Sequence, residues 1–191
     1  MKKLLTILTL TALTLSANAQ EFSKIDKSTL DVAYYPSNTV KRAREKDAAK
    51  KAAAEPKIRV LYSRPLKKER TIFGELIKFD KVWRLGANES TEVLFLTDVT
   101  VGGKSLKAGR YTMHVIPKAN EWTVNFNTDL DLWGSYAYDK TKDVASVTVP
   151  TTSSQKVIEA LSIALYSPSK NLVHIKIGWD KTIVEIPVTL N

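Results

Sequence analysis

The chain has 191 residues, a formal net charge of +9 and no cysteine. Without cysteine, disulfide bonds and thiolate metal sites are excluded, so the fold has to be stabilised by an ordinary apolar core. The length suits one domain with such a core, and the excess of basic residues favours anionic partners.

The N-terminus has the pattern of a secretory signal peptide. Lys2 and Lys3 precede an apolar stretch, Leu4–Leu15, in which threonine is the only polar residue, and Ala17-Asn18-Ala19 supplies the small residues that a signal peptidase requires. The stretch is too short to span a membrane. A buried N-terminal helix is the alternative. We expect cleavage after Ala19, a periplasmic or secreted protein, and no transmembrane or lipid anchor in the mature chain.

Residues 20–56 are predicted to form an N-terminal approach segment that contains a short basic helix. Lys41–Ala54 is rich in Ala, Lys, Arg and Glu, which are good helix formers, but it lacks a wide apolar stripe. We therefore expect an exposed helix without a core of its own, ending before Pro56.

Residues 57–191 are predicted to form the main domain, because apolar and polar residues alternate there with the period of a strand. Hairpins are indicated at Gly102-Gly103, Ala119-Asn120 and Asp180-Lys181, and Pro150–Ser154 has the composition of a polar loop. About eight strands linked in this way predict a mainly β fold, an antiparallel β-sandwich or barrel. The candidate strands are the segment starting at Ile58, then Glu92–Thr97, Arg110–Pro117, Glu121–Asn127, Val144–Val149, Ile158–Tyr166, Leu172–Trp179 and Thr182–Val188. Of these, Ile158–Tyr166 also fits a helical spacing. We predict a strand there because the neighbouring segments are predicted strands.

A long connection, Ser63–Thr91, concentrates charged residues among large apolar ones. Connections of this length in compact domains are usually functional or disordered, and the aromatic content favours a packed one. Its apolar part, Ile72–Trp83, predicts a short helical turn and a loop that crosses one end of the sandwich. The candidate ligand-binding residues of this connection are Arg64, Lys68, Arg70, Trp83, Arg84, Asn88 and Glu89.

Within it, the segment from Trp83 to Glu89 has the residue types of a polar site. Arg84 offers a planar guanidinium for a carboxylate or phosphate, and Gly86 predicts a backbone turn. Asn88 supplies a donor and an acceptor, and Glu89 is a candidate ligand or proton carrier. The alternative is an internal ion pair between Arg84 and Glu89, with Asn88 capping a turn. Residue types alone leave both open.

Other polar residues give weaker indications. The two histidines, His114 and His174, lie in strand patterns without metal-ligand spacing, so neither a metal site nor a cofactor is predicted. A Ser-His-acid set stays open, with Ser90 as its weakest indication. Four acidic residues surround a loop that starts at Trp133; they suit a solvated loop, or calcium, without the spacing of an EF-hand. They are Asp129, Asp131, Asp139 and Asp143.

The tryptophans divide into core and loop residues. Trp122 and Trp179 lie in strand patterns and are predicted to fill the core. Trp133-Gly134-Ser135-Tyr136 lies in a loop and is the better candidate for an aromatic ligand platform.

These motifs resemble the hallmark of a secreted bacterial family that is catalogued only as a domain of unknown function, DUF2911. The residues that carry the resemblance are Tyr62-Ser63-Arg64-Pro65, Lys68, Arg70, Ile72-Phe73-Gly74, Trp83-Arg84, Gly86-Ala87-Asn88-Glu89, Thr91 and the closing Trp179. The resemblance covers about Asp31–Val188. Departures from the usual pattern occur at Glu69, Lys78-Phe79-Asp80, Leu85 and His114, and they leave the polar site residues in place. The resemblance implies a fold and a compartment, but no activity.

The sequence favours an envelope protein, not an enzyme, that binds an anionic or polyhydroxylated ligand through the arginines, with Asn88 and Glu89 fixing its orientation. One alternative is a hydrolase with Glu89 as general base and an arginine at the oxyanion. Another is a structural protein without a ligand. No nucleic-acid partner is predicted, and the oligomeric state does not follow from the sequence.

Overall fold

A computed structural model describes residues 21–37 and 39–191, so the predicted signal peptide lies outside the described residues. These residues contain ten strands and two short α-helices. In chain order they are β1 (Leu30–Tyr35), α1 (Thr39–Arg44), α2 (Ala48–Ala53), β2 (Ile58–Ser63), β3 (Thr91–Phe95), β4 (Val99–Val101), β5 (Lys104–Leu106), β6 (Gly109–Pro117), β7 (Glu121–Asn127), β8 (Asp143–Pro150), β9 (Thr152–Ser169) and β10 (Leu172–Leu190). A 3₁₀ turn, Lys140–Lys142, precedes β8.

The strands form two antiparallel sheets, one of six strands in the order β1-β2-β3-β6-β7-β8 and one of four in the order β5-β4-β10-β9. On several strands alternate residues are buried between the sheets, such as Ile58 and Val60 on β2 and Ile175 and Ile177 on β10. On β6, four consecutive residues, Thr112–Val115, are buried. The predicted mainly β sandwich is therefore confirmed, while the barrel is not formed because the two sheets remain separate.

Two predicted connections are wrong, because most of their residues lie in strands. Asp180-Lys181 is not a hairpin, because β10 runs through it from Leu172 to Leu190. The pairing with β9 shifts register on both sides of Asp180, and Asp180 has a φ of 54°. The turn-forming residue thus lies in β10 at an irregularity of the pairing, opposite a part of β9 that contains extra residues. Pro150–Ser154 is not a loop either, since only Thr151 separates β8 from β9. Ile158–Tyr166 is a strand as predicted, within β9.

The N-terminal segment contributes more than the sequence indicated. β1 pairs with β2 from Leu30 opposite Ser63 to Tyr35 opposite Ile58, and so forms an edge of the six-stranded sheet. The basic region forms two short helices, and the Asp47 side chain accepts a hydrogen bond of 2.8 Å from Lys50 N at the start of α2. No helix in the described residues is long and apolar enough to cross a bilayer.

The connection between β2 and β3, which are neighbours in the six-stranded sheet, contacts both sheets. The predicted helical turn in Ile72–Trp83 is wrong, because this part is held by isolated bridges instead of helical hydrogen bonds. Leu66 bridges to Ala160 on β9, and Trp83 exchanges two backbone hydrogen bonds of 2.7 and 2.8 Å with Val115 on β6. The connection is fixed to both sheets and holds its polar side chains in place.

Candidate functional site

A cavity of about 860 Å³ lies between this connection, the N-terminal segment and the start of the loop that follows β7. Its size falls in the range of about 300–1,000 Å³ that is common for small-molecule sites. We call it the cationic pocket, and its lining residues are Lys27, Ser28, Pro65, Leu66, Lys68, Arg70, Leu76, Ile77, Lys78, Lys81, Val82, Trp83, Arg84, Gly86, Ala87, Ser135 and Trp179.

The charges around the pocket all have one sign. Six lining residues are Lys or Arg, and none is Asp or Glu. None of the six is ion-paired to a carboxylate in the part of the chain that the structure describes. Some cations outside the pocket are paired, as Lys107 is with Asp98 at 2.8 Å and Arg110 with Glu92. The pocket therefore carries a positive charge that the protein itself does not neutralise.

The apolar wall of the pocket rests on an aromatic cluster. Trp83 and Trp179 are stacked with ring centroids 6.0 Å apart, and Trp122 meets Trp83 edge-on at 5.8 Å. Trp83 is held by the bridge to β6 and by a hydrogen bond of 3.1 Å from its indole N–H to Gly86 O. Trp122 and Trp179 are buried in the core, as the sequence predicts. The wall is therefore rigid.

Arg84 is the most informative residue of the site. Its Nε atom is buried and has no hydrogen-bond partner in the described residues. No ion pair joins Arg84 to Glu89 there, so the alternative of an internal pair is not formed. The backbone around Arg84 is nevertheless fixed, because its carbonyl accepts a 3.1 Å hydrogen bond from Thr91 N. A buried donor of a charged group without a partner costs about 1–3 kcal/mol or more.

Arg64 does not reach the site. Its guanidinium pairs with Asp31 at 2.9 Å and donates to Leu161 O at 3.2 Å and Ser162 Oγ at 3.0 Å. These contacts join β1 to β9, and Arg64 lines neither of the two pockets described here. The structure gives Arg64 a role in holding the two sheets together.

Lys68 and Arg70 lie at the rim of the cationic pocket. Arg70 donates through Nε to Lys67 O at 3.1 Å and through its terminal nitrogen to Leu66 O, which leaves the other terminal nitrogen without a protein partner. Lys68 has a φ of 54°, and its backbone N–H donates to the Glu159 carboxylate at 2.7 Å. Both side chains are exposed. They are available to a ligand without the loss of an ion pair.

Asn88 and Glu89 line a second cleft of about 460 Å³. We call it the aromatic cleft, and its lining residues are Asp26, Ser28, Thr29, Leu30, Asn88, Glu89 and Trp133. The prediction for the backbone here is wrong in one point: Leu85 and Asn88, with φ values of 55° and 59°, take the left-handed conformation, and Gly86 does not. Apart from Arg64, the predicted site residues therefore divide between two neighbouring pockets that share Ser28.

No set of acid, base and nucleophile is assembled in the described residues. Glu89 has no hydrogen-bonded or ion-paired titratable neighbour there. Ser90 Oγ lies 3.4 Å from His114 Nε2, but it donates to Gly134 O, and Nδ1 of His114 has no partner. The described residues also hold no group of three side chains arranged as metal ligands. The acidic loop residues have other partners: Asp139 caps the 3₁₀ turn, and Asp143 accepts from Asn127 at 2.8 Å.

Sequence reasoning missed several lining residues. Lys78 and Lys81 lie in the same connection and could have been found from their charge alone. Lys27 and Ser135 come from segments far away along the chain, and no local pattern indicates that they meet Arg84.

The model of one family, described as a protein of unknown function (DUF2911), matches residues 44–188. No curated protein and no solved structure matches the chain significantly.

Proposed function

The chain belongs to the DUF2911 family of proteins of unknown function, and from its geometry we propose that it binds an anionic ligand in the cationic pocket. The observation that carries the proposal is the unpartnered Nε of Arg84 at a pocket with six cations and no carboxylate. A phosphate or carboxylate would supply the acceptor that Arg84 lacks, and a planar guanidinium suits both groups.

The pocket also selects for an apolar portion of the ligand. Leu66 and Leu76, which are 42% and 43% exposed, line it together with Val82. A small inorganic anion would leave this surface in contact with water, whereas an organic anion would cover it and gain the free energy of apolar burial. We therefore propose an organic phosphate or carboxylate as the ligand.

We further propose that the protein acts in the periplasm or outside the cell. The support is the charged start, the apolar stretch and the small residues before Gln20. The absence of cysteine is compatible with an oxidising compartment.

The test is calorimetric titration of the purified protein with phenyl phosphate and with inorganic phosphate. Phenyl phosphate should bind more tightly, and binding should weaken as sodium chloride is added. The variant Arg84→Gln should lose about 1.5–3 kcal/mol of binding free energy, or about 10- to 100-fold in Kd. Its free energy of unfolding should change by at most about 1 kcal/mol, because the guanidinium makes no hydrogen bond or ion pair in the described residues that could be lost.

Two controls remove the same charge elsewhere. Arg44→Gln alters an exposed residue of α1 outside both pockets and should leave binding unchanged. Arg64→Gln breaks the contacts to Asp31, Leu161 and Ser162, so it should lower stability and spare binding. Equal losses of binding in Arg84→Gln and Arg44→Gln would show that the net charge alone accounts for the effect, and would contradict the proposal.

A further inference from the structure

The loop after β7 exposes two aromatic rings beside the aromatic cleft. Trp133 and Tyr136 are 61% and 82% exposed, and their rings are stacked with centroids 5.9 Å apart and planes 11° from parallel. The other three tryptophans are at most 5% exposed. Exposed stacked aromatics of this kind mark binding surfaces more often than structural ones.

This aromatic pair is held rigidly although it is exposed. Gly134 N donates to Asn88 O at 2.8 Å, Ser90 N to Leu132 O at 2.9 Å, and Ser135 Oγ to Val82 O at 3.1 Å. Gly134 has a φ of 75°, and a Cβ there would lie 2.8 Å from the ring of Tyr136. Glycine is thus required for the ring to lie against the loop. The platform is preorganised, which lowers the entropy cost of binding.

Polar groups without protein partners surround the platform. The Asn88 amide and the Glu89 carboxylate make no hydrogen bond in the described residues, and both line the aromatic cleft with Trp133. Asn88 can donate and accept, and Glu89 can accept from two hydroxyl groups. An aromatic face next to a carboxylate and an amide matches a sugar ring, whose C–H face stacks on indole and whose hydroxyls need such partners.

The charge of the cleft restricts which part of a ligand it takes. Asp26 and Glu89 make it acidic, whereas the adjoining cationic pocket has no carboxylate. Ser28 lines both cavities, so one ligand of moderate size can reach from one to the other. A negative group belongs in the cationic pocket, and a neutral hydroxylated ring belongs in the cleft.

We infer that Trp133, Tyr136, Asn88 and Glu89 form a saccharide subsite, so that the ligand of this protein is a sugar carrying a phosphate or carboxylate. The inference rests on the proposed function for the anionic half of the ligand. The saccharide half rests on the geometry of the aromatic cleft alone.

The test compares three kinds of probe on the purified protein by calorimetry and tryptophan fluorescence. The probes are inorganic phosphate, the glycosyl phosphates of glucose, galactose, mannose and N-acetylglucosamine, and the matching methyl glycosides. At least one glycosyl phosphate should bind about ten-fold or more tightly than inorganic phosphate. It should also shift the emission of Trp133 to shorter wavelength, because the ring leaves water.

Variants separate the two halves of the site. Trp133→Ala should weaken the preferred glycosyl phosphate to the level of inorganic phosphate and leave phosphate binding unchanged, and Trp133→Phe should retain part of the gain. Val157→Ala removes an exposed apolar side chain on β9, outside both cavities, and should change nothing. Thermal melting of each variant checks that it is folded.

The possible failures are distinguishable. If inorganic phosphate binds but no glycosyl phosphate binds more tightly, or if Trp133→Ala keeps the gain, the saccharide subsite is refuted and the anion site stands. If inorganic phosphate, phenyl phosphate and every glycosyl phosphate fail to bind, the proposed function is refuted and the anionic-sugar inference falls with it.

Discussion

His114 lies in the middle of β6 and is fully buried. Its ring packs against Tyr138 with centroids 4.8 Å apart, and Nδ1 has no hydrogen-bond partner in the described residues. Burial lowers the pKa of His114 below its ordinary value of 6.5, and the Asp143 carboxylate only partly opposes this. Burial also raises the pKa of Tyr138, with a further contribution from its hydrogen bond to Asp143. The folded state therefore favours the neutral form of His114.

This burial predicts a loss of stability in mild acid. The unfolded chain takes up a proton near pH 6.5, while the folded chain resists it, so stability is retained above that pH and lost below it. The loss can reach about 1.4 kcal/mol per pH unit until His114 is protonated in the fold. Urea titrations between pH 7.5 and 5 should show this slope in the wild type, and a much smaller slope in His114→Phe.

The second histidine provides the control for this prediction. His174 is half-buried on β10 and contacts Glu185 at 3.0 Å. His174→Gln should keep the slope that His114 causes. A slope unchanged in His114→Phe would mean that other groups are responsible for the acid sensitivity.

Among the elements, the β4–β5 hairpin shows how a turn brings the two sheets together. Gly102 and Gly103 have φ values of 56° and 77°, the signs of a two-residue hairpin turn that glycine favours. A Cβ on Gly102 would lie 2.3 Å from Ser146 O on β8, whereas a Cβ on Gly103 would meet nothing within 4 Å. The sequence predicted the hairpin, but not that its first glycine is packed against the other sheet.

Asparagine at each position separates backbone conformation from packing, because asparagine tolerates a positive φ. Gly103→Asn should cost less than about 1 kcal/mol of unfolding free energy. Gly102→Asn has to displace the backbone of β8 and should cost about 1–3 kcal/mol more. Guanidinium titrations of both variants measure the difference. Equal costs would show that the turn can move away from β8 without strain.

For the molecule as a whole, export is the prediction with the widest consequence. The first strand in the described residues, β1, begins at Leu30, so cleavage before Gln20 removes no strand of the sandwich. Mass spectrometry of the protein isolated from its host's envelope or medium should find a chain that starts at Gln20. Recovery of intact Met1 from native material would contradict export.

Substitutions at the predicted cleavage site provide a matched pair. Ala19→Leu places a large residue at a position where a small one is needed, so the uncleaved precursor should accumulate. Asn18→Leu alters the neighbouring position, which has no such requirement, and should be processed normally. If both variants are processed normally, the cleavage site lies elsewhere in the chain.

Several properties of this protein follow from local sequence patterns. The alternation of residues determines which residues of β2 and β3 face the core, because side chains on a strand point to opposite sides. The sandwich and the Gly102-Gly103 turn could also be predicted from local patterns, and the motif from Trp83 to Glu89 was sufficient to identify the family. The basic region is helical as predicted, but it forms two short helices instead of one. The polar residues of the long connection stand out as a group in the sequence, and their part in ligand binding stays a prediction.

Only the tertiary structure decided how those polar residues are used. Arg64 and Arg84 are the same residue type in the same connection, yet Arg64 is engaged by Asp31, Leu161 and Ser162, and the Nε of Arg84 is buried without a partner. The cationic pocket needs Lys27 and Ser135, which are brought to Arg84 by contacts between segments far apart in sequence. Local sequence patterns do not predict such contacts, because the packing of the two sheets and of the loops at their ends determines which groups meet.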